Sequence, residues 1–240
     1  MRFIHCLLLL ISLPILISSF HIKKKKCILV FAKTAGFRHT SIPKGKEALL
    51  LMGKQHNFIV DTTEDASLFT TKNLRKYDAV VFLSTTGDVL NNEQQAAFEQ
   101  YIRSGKGFVG IHAATDTEYE WPWYCKLVGA NFLSHPKQQQ ATLHVTDAGH
   151  ISTKHLPAVW ERFDEWYNFK NQNADVNVLL TIDEKTYQGG KNGDKHPMAW
   201  YHAYDGGRAF YTALGHTDES YKEEHFLKHV LGGIEYAMGK

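Results

Sequence analysis

Short apolar runs alternate with amphipathic stretches along the chain, and their periods predict an α/β fold. Residues 27–31, Cys-Ile-Leu-Val-Phe, lie between Lys26 and Lys33 and read as a buried parallel strand. Pro43 can open a helix at its first turn. Ala48, Leu49, Leu51 and Met52 give that helix an apolar face, and Gly53 ends it. Residues 58–60 and 78–84 read as the next two strands, with the end of a helix at Leu74 to Tyr77 between them. Asn92 begins a helix that turns Ala96, Ala97, Phe98, Tyr101 and Ile102 inward, and Gly105 stops it. Residues 107–111 give a fourth strand, followed by a sharp turn at Gly110 to Ala114 where a helix should start. This β-α-β-α-β order implies a doubly wound parallel sheet.

The second half has a different rhythm. Residues 141–145 alternate like a more exposed strand, and 177–182 form another apolar run. Residues 198–204 and 208–214 flank Asp205-Gly206-Gly207 and read as a hairpin. A closing helix over 223–238 buries Phe226, Leu227, Val230, Leu231 and Ile234. The expected architecture is therefore a mainly parallel core sheet with an antiparallel extension.

Composition adds an N-terminal feature. Met1-Arg2 is a short positive start, residues 7–17 are an apolar core interrupted by Pro14, and Ser18-Ser19 offers small residues for cleavage. Residues 1–20 thus read as a signal peptide, too short in its apolar core to span a bilayer. The expected product is exported, periplasmic or secreted, with no stable membrane span after cleavage. Residues 21–26 form a basic linker, and residues 27–240 a single domain. The formal charge is only +2, and basic residues beyond Lys26 are scattered, so no nucleic-acid footprint is expected. Cys27 and Cys125 remain after cleavage and are expected to pack, since two cysteines make neither a disulfide framework nor a four-cysteine zinc site.

In open parallel sheets ligands bind beyond the carboxyl ends of the strands. Three polar clusters should meet there. Gly36-Phe37-Arg38-His39-Thr40-Ser41 follows the first strand, His112 with Asp116 follows the fourth, and Gly215-His216-Thr217-Asp218 follows the hairpin. Phe163-Asp164-Glu165-Trp166-Tyr167 adds acid and aromatic groups. Glu165 could be a ligand, a general base or an acceptor for sugar hydroxyls, and Trp166 and Tyr167 could stack on a sugar face. His135-Pro136 and His196-Pro197 are secondary candidates. No Gly-x-Ser-x-Gly elbow, no His-Glu-x-x-His and no phosphate-cradling glycine loop occurs. Dispersed ligands suit a zinc site with three protein ligands and an open position, and His39, His112 and His216 would serve in one. Alternatively His112, His216, Glu165 and His39 act as acid/base groups. Arg38, Asp116, Trp166, Tyr167, Trp200 and Asp218 are the candidate substrate-binding residues.

Gly36-Phe37-Arg38-His39, Gly110-Ile111-His112-Ala113-Ala114-Thr115-Asp116, Asp164-Glu165-Trp166-Tyr167 and the stretch from His196-Pro197-Met198-Ala199-Trp200 to Gly215-His216 together resemble the trehalose-utilisation (ThuA-like) family from about Cys27 onward. The resemblance implies a flavodoxin-like fold similar to class I glutamine amidotransferases. In those enzymes a cysteine occupies the turn after a central strand, and a later strand delivers a histidine followed by an acid. His112 stands where that cysteine would be, and His216 with Asp218 looks like the later pair, so amidotransferase activity is not expected. The family implies carbohydrate catabolism. Two classes of function stay open. One is an enzyme (hydrolase, lyase or isomerase) on a sugar or keto-sugar, with histidine acid/base groups or a divalent metal such as zinc. The other is a non-catalytic carbohydrate-binding protein on the same fold.

Overall fold

The structure, a computed structural model, describes residues 24–240; the expected leader and the first part of the basic linker lie outside the described residues. In chain order the elements are β1 (Cys27–Phe31), α1 (Ile42–Gln55), β2 (Ile59–Thr63), α2 (Thr71–Leu74), β3 (Ala79–Leu83), α3 (Asn92–Arg103), β4 (Gly107–Ile111), α4 (Pro122–Val128), β5 (Asn131–Ser134), β6 (Gln139–Val145), β7 (Val159–Asp164), β8 (Asn168–Lys170), β9 (Asn177–Ile182), β10 (Pro197–Tyr204), β11 (Gly207–Thr212) and α5 (Glu224–Ala237). Nine strands form one sheet in the order β2-β1-β3-β4-β11-β10-β9-β6-β7, and β5 pairs with β8 in a separate ribbon.

The first five positions of that order run parallel, which gives the flavodoxin-like arrangement with β11 as its fifth strand. Strands β3 and β4 are buried at every position, as strands covered on both faces must be. β2 is the edge, and its residues are mostly exposed. From β11 onward the chain pairs antiparallel through β10, β9, β6 and β7. Among the described residues no helix is long and apolar enough to cross a membrane.

Helix ends follow local chemistry. Asn91 and Gln94 close a capping box at the start of α3. Pro122 opens α4, and Gly129 ends it in a left-handed conformation. Trp121 and Tyr124 pack inward at that helix start. The turn after β4 is a 3-10 turn, His112–Asp116, instead of an immediate α-helix.

The antiparallel half does not lie flat. β7 is four places from β11, about 19 Å away in a flat sheet at a strand spacing of about 4.8 Å. Yet the Asp164 carboxylate at the end of β7 accepts the Gly215 N–H, just past β11, at 2.9 Å. The extension therefore curls back over the carboxyl ends of the parallel strands, and it brings Glu165 with it.

Candidate metal and carbohydrate site

The floor of the site is made by register. β4 and β11 pair with Ile111 opposite Thr212, so the next residues, His112 and Ala213, meet above the sheet. His112 is wholly buried with φ at +52°, a left-handed value that turns the chain sharply off the strand. Gly110 permits this packing: a Cβ there would sit 2.9 Å from the Tyr211 ring. The Tyr211 hydroxyl donates to the His112 carbonyl at 2.7 Å and also meets Thr115 Oγ1 at 3.0 Å, which pins the turn.

His112 Nδ1 lies 2.8 Å from the Ala213 carbonyl oxygen. A carbonyl only accepts, so Nδ1 carries a proton, and the tautomer this selects has its lone pair on Nε2. That lone pair faces His216 Nδ1 at 3.0 Å and Glu165 Oε2 at 3.5 Å. His216 Nδ1 is in turn 3.0 Å from the same Glu165 oxygen. His39, on the loop after β1, packs edge-on against both imidazoles, with ring centroids 4.8 Å from His112 and 5.1 Å from His216. That loop leans inward because Ala35 N–H donates to the Thr86 carbonyl beyond β3. The four side chains offer ligand atoms that all lie within 4.8 Å of one another.

Burial sets the charges. It pushes the His39 imidazole down to about 3, helped by His112 and His216 nearby, so His39 is neutral. Burial pushes the Glu165 carboxyl up, but the His112 and His216 imidazoles against it prevail and hold it well below its ordinary range. Its second oxygen takes a contact from His135 Nδ1 at 3.1 Å, and the His135 side chain is 44% exposed at the mouth. Asp116 is shifted upward by burial, against the hydrogen bond that Tyr119 donates to it at 2.7 Å.

Above this floor opens a cleft of about 460 Å³. Phe37, His39, Asp116, Phe132, His135, Gln138, Glu165, Tyr167 and His216 line it. Phe37 is 66% exposed, and its edge meets His39 at 4.9 Å. Tyr167 is almost fully buried, with its ring 4.3 Å from His112.

The structure thus brings together His39, His112, Glu165, His216, Asp116 and Tyr167. It places the other expected binding residues elsewhere. Trp166 and Trp200 are wholly buried, their indole N–H groups donating to the Gln139 and Val128 carbonyls, so neither offers a face to a ligand. Arg38 forks onto Glu64 at 2.9 and 3.0 Å on the surface. Asp218 borders a separate groove beside Lys44 and Tyr221. His196 bonds Glu184 and the Tyr167 carbonyl, behind the cleft.

His135, a secondary candidate in the sequence, lies at the mouth of the cleft. Three further lining residues carry weight that the sequence pattern did not assign, and of these Phe37 stood out only as part of a motif. Phe132 and Gln138 had no signal at all.

The sequence profile described as trehalose utilisation (ThuA) matches residues 27–237. No curated protein sequence matches the chain. Among solved structures, a ThuA-like protein from Bacteroides uniformis superposes with a TM-score of 0.77 at 24% identity, covering 92% of this chain and 94% of that one. A ThuA-like protein from Parabacteroides merdae gives 0.76 at 22% identity, over 90% and 91% of the two chains. A cytoplasmic protein from Salmonella typhimurium gives 0.64 at 16% identity, over 89% of this chain and all of that one. With nearly its whole described length matched by that profile, the chain belongs to the trehalose-utilisation (ThuA) family.

Proposed function

We propose that the protein is a metal-dependent enzyme of carbohydrate metabolism that acts on a sugar or keto-sugar in the cleft above His112. Family membership supports the carbohydrate-related role. The observation that carries the metal is the convergence of acceptors. The His112 Nε2 lone pair, the ionised Glu165 carboxylate and His216 Nδ1 face one another at 3.0 to 3.5 Å. Unprotonated, these groups repel one another, and a cation between them relieves that repulsion. A single proton on His216 would serve these three atoms but would leave His39 Nδ1, which is buried without a partner. Ligands held about 2.0–2.1 Å from a tetrahedral ion lie about 3.3 Å from one another, which matches the spacings among His112, Glu165 and His216, with His39 within 4.8 Å of them.

His112, His216 and Glu165, with His39 as a fourth donor, would therefore hold a divalent ion such as zinc. Held there, such an ion would supply Lewis-acid polarisation of a sugar oxygen. The chain's own residues do the rest. The Ala213 carbonyl fixes the His112 tautomer. Phe37 and Phe132 offer apolar surface for the face of a sugar ring. Asp116 accepts from a sugar hydroxyl. His135, whose Nδ1 lies 2.9 Å from the Pro136 carbonyl oxygen and 3.1 Å from Glu165 Oε1, is open to solvent and moves protons between the cleft and bulk water. The site sits in an exported protein whose leader is residues 1–20.

Elemental analysis of untagged protein should find one divalent ion per chain, and a sugar and keto-sugar panel read by mass spectrometry should reveal a product lost on chelation. Metal-free protein that binds a saccharide without converting it would decide for the binding-protein alternative. N-terminal sequencing of protein from the native host checks the export step.

A further inference from the structure

β7 turns Trp160, Arg162 and Asp164 inward while Val159, Glu161 and Phe163 face out. The Asp164 carboxylate is wholly buried and takes five donors. Oδ1 accepts the backbone N–H of Glu165 at 2.9 Å and of His216 at 3.1 Å. Oδ2 accepts the Gly215 N–H at 2.9 Å, Arg162 Nη2 at 3.0 Å and Ser220 Oγ at 3.4 Å. Two of the three backbone donors thus belong to Glu165 and His216, whose side chains supply two of the acceptors.

Arg162 fixes the carboxylate in turn. It is buried, and its guanidinium lies over the Trp160 and Phe226 rings at 4.9 and 5.2 Å. The same Nη2 reaches Ser220 Oγ at 2.8 Å and Glu223 Oε2 at 3.4 Å. Gly215 adopts a φ of +107°, so the loop that carries His216 bends at the residue Asp164 grips.

We propose that Asp164 is the positioning residue of the metal cluster: one buried carboxylate, held by Arg162, sets Glu165 and His216 in register so that both reach one ion. Asp164 does not touch that ion. The inference rests on the metal reading above. Its physical basis is that hydrogen bonds one shell out from a ligand fix the ligand's direction, and losing them weakens metal binding about ten- to a hundredfold.

Asp164→Asn keeps the size but converts one oxygen to an amide NH2. Whichever way it turns, that NH2 meets at least two donors: the Glu165 and His216 N–H groups, or Gly215 N–H with Arg162 Nη2 and Ser220 Oγ. The test measures Zn²⁺ affinity by competition with a chelator, and the visible spectrum of the Co²⁺-loaded protein, well below the melting temperature of each variant. Wild type should bind one ion. Asp164→Asn should bind it about ten- to a hundredfold more weakly with a shifted Co²⁺ spectrum. A variant that melts earlier yet binds Zn²⁺ as wild type does, with an unchanged spectrum, overturns the proposal and leaves the metal reading intact. Wild type that binds neither ion overturns the metal reading itself, and this inference with it. If Asp164→Asn does not fold, Arg162→Lys keeps the charge but loses the Nη2 contact to Asp164; weakened Zn²⁺ binding supports the proposal, and wild-type binding overturns it.

Discussion

The two halves of the sheet bring unlike chemistry to one site. The parallel half supplies three imidazoles, each from the loop just past a strand end: His39 after β1, His112 after β4 and His216 after β11. The antiparallel extension supplies the carboxylate of Glu165, the mouth histidine His135 and the ring of Tyr167. In the parallel half, position follows from local register, since neighbouring strands place His112 against Ala213 directly. In the extension it follows from curvature accumulated over four strand pairings, locked at the end by Asp164 on Gly215 and His216. A family can therefore keep its imidazoles with the core sheet and still tune the site through the curl of the extension.

The sharpest test asks whether both halves are needed. His112→Ala and Glu165→Gln should each lower turnover by about a thousandfold, within the range expected when a positioned catalytic group is lost. Near-UV circular dichroism should show both variants folded. A dead His112→Ala beside an active Glu165→Gln would mean that the extension only shapes the cleft. Wild-type activity in both variants would remove the site altogether.

Next in size is a test of where the extension spends its aromatics. Trp200 on β10 is wholly buried, with its indole N–H 2.8 Å from the Val128 carbonyl. Trp200→Phe should cost about 2–3 kcal/mol in urea unfolding, from a buried acceptor left unpaired and a smaller ring. Saccharide affinity should stay at the wild-type value. A loss of affinity at unchanged stability would return Trp200 to the binding residues.

The same contrast explains what was legible in the sequence. β1, β3 and β4 are apolar runs, and the clusters at their ends announced His39 and His112. The β10–β11 hairpin and the three long helices were equally plain. β7 was not, because its inward positions hold Arg162 and Asp164 while Val159 and Phe163 face solvent, the reverse of the usual alternation. β5 and β8 are only four and three residues long, too short to show a period. Asp164 stood in view beside Glu165, but its work is a set of contacts to residues about fifty positions away. Trp166 and Trp200 misled for a related reason: a sequence cannot tell an indole that stacks on a sugar from one whose N–H satisfies a buried carbonyl.

A smaller effect separates two histidines made neutral by the same cause. Burial pushes both His39, in the cleft, and His229, inside α5, down to about 3. An unfolded histidine binds its proton near pH 6.5. Each stabilises the fold fully above that pH, and stability falls as pH drops from about 6.5 toward 3, because the unfolded chain then binds protons the folded one refuses. The slope is about 1.4 kcal/mol per pH unit for each histidine. His229→Asn keeps a donor for the Ser152 carbonyl, now held by Nδ1 at 2.9 Å, and removes the titration. Urea midpoints between pH 7 and 4 should then fall less steeply, by one proton. An unchanged slope would mean that His229 titrates normally in the folded protein.

The smallest expected effect concerns the one charged side chain of the first strand-end cluster. Arg38 stands between Phe37 and His39, both of which line the cleft, yet its guanidinium forks onto Glu64 on the open surface. Hydrogen bonds from Arg38 and Lys46 push the Glu64 carboxyl down to about 2, but both partners are well exposed, so water screens most of that interaction. Arg38→Ala should cost less than about 1 kcal/mol of stability. It should leave the affinity for any saccharide found in the panel within about twofold, since an exposed pair outside the cleft has nothing to lose there. A tenfold loss of affinity would show that Arg38 leaves Glu64 when ligand arrives and swings over the cleft. The parallel half would then supply a cation as well as imidazoles, and the division of labour between the two halves would have to be redrawn.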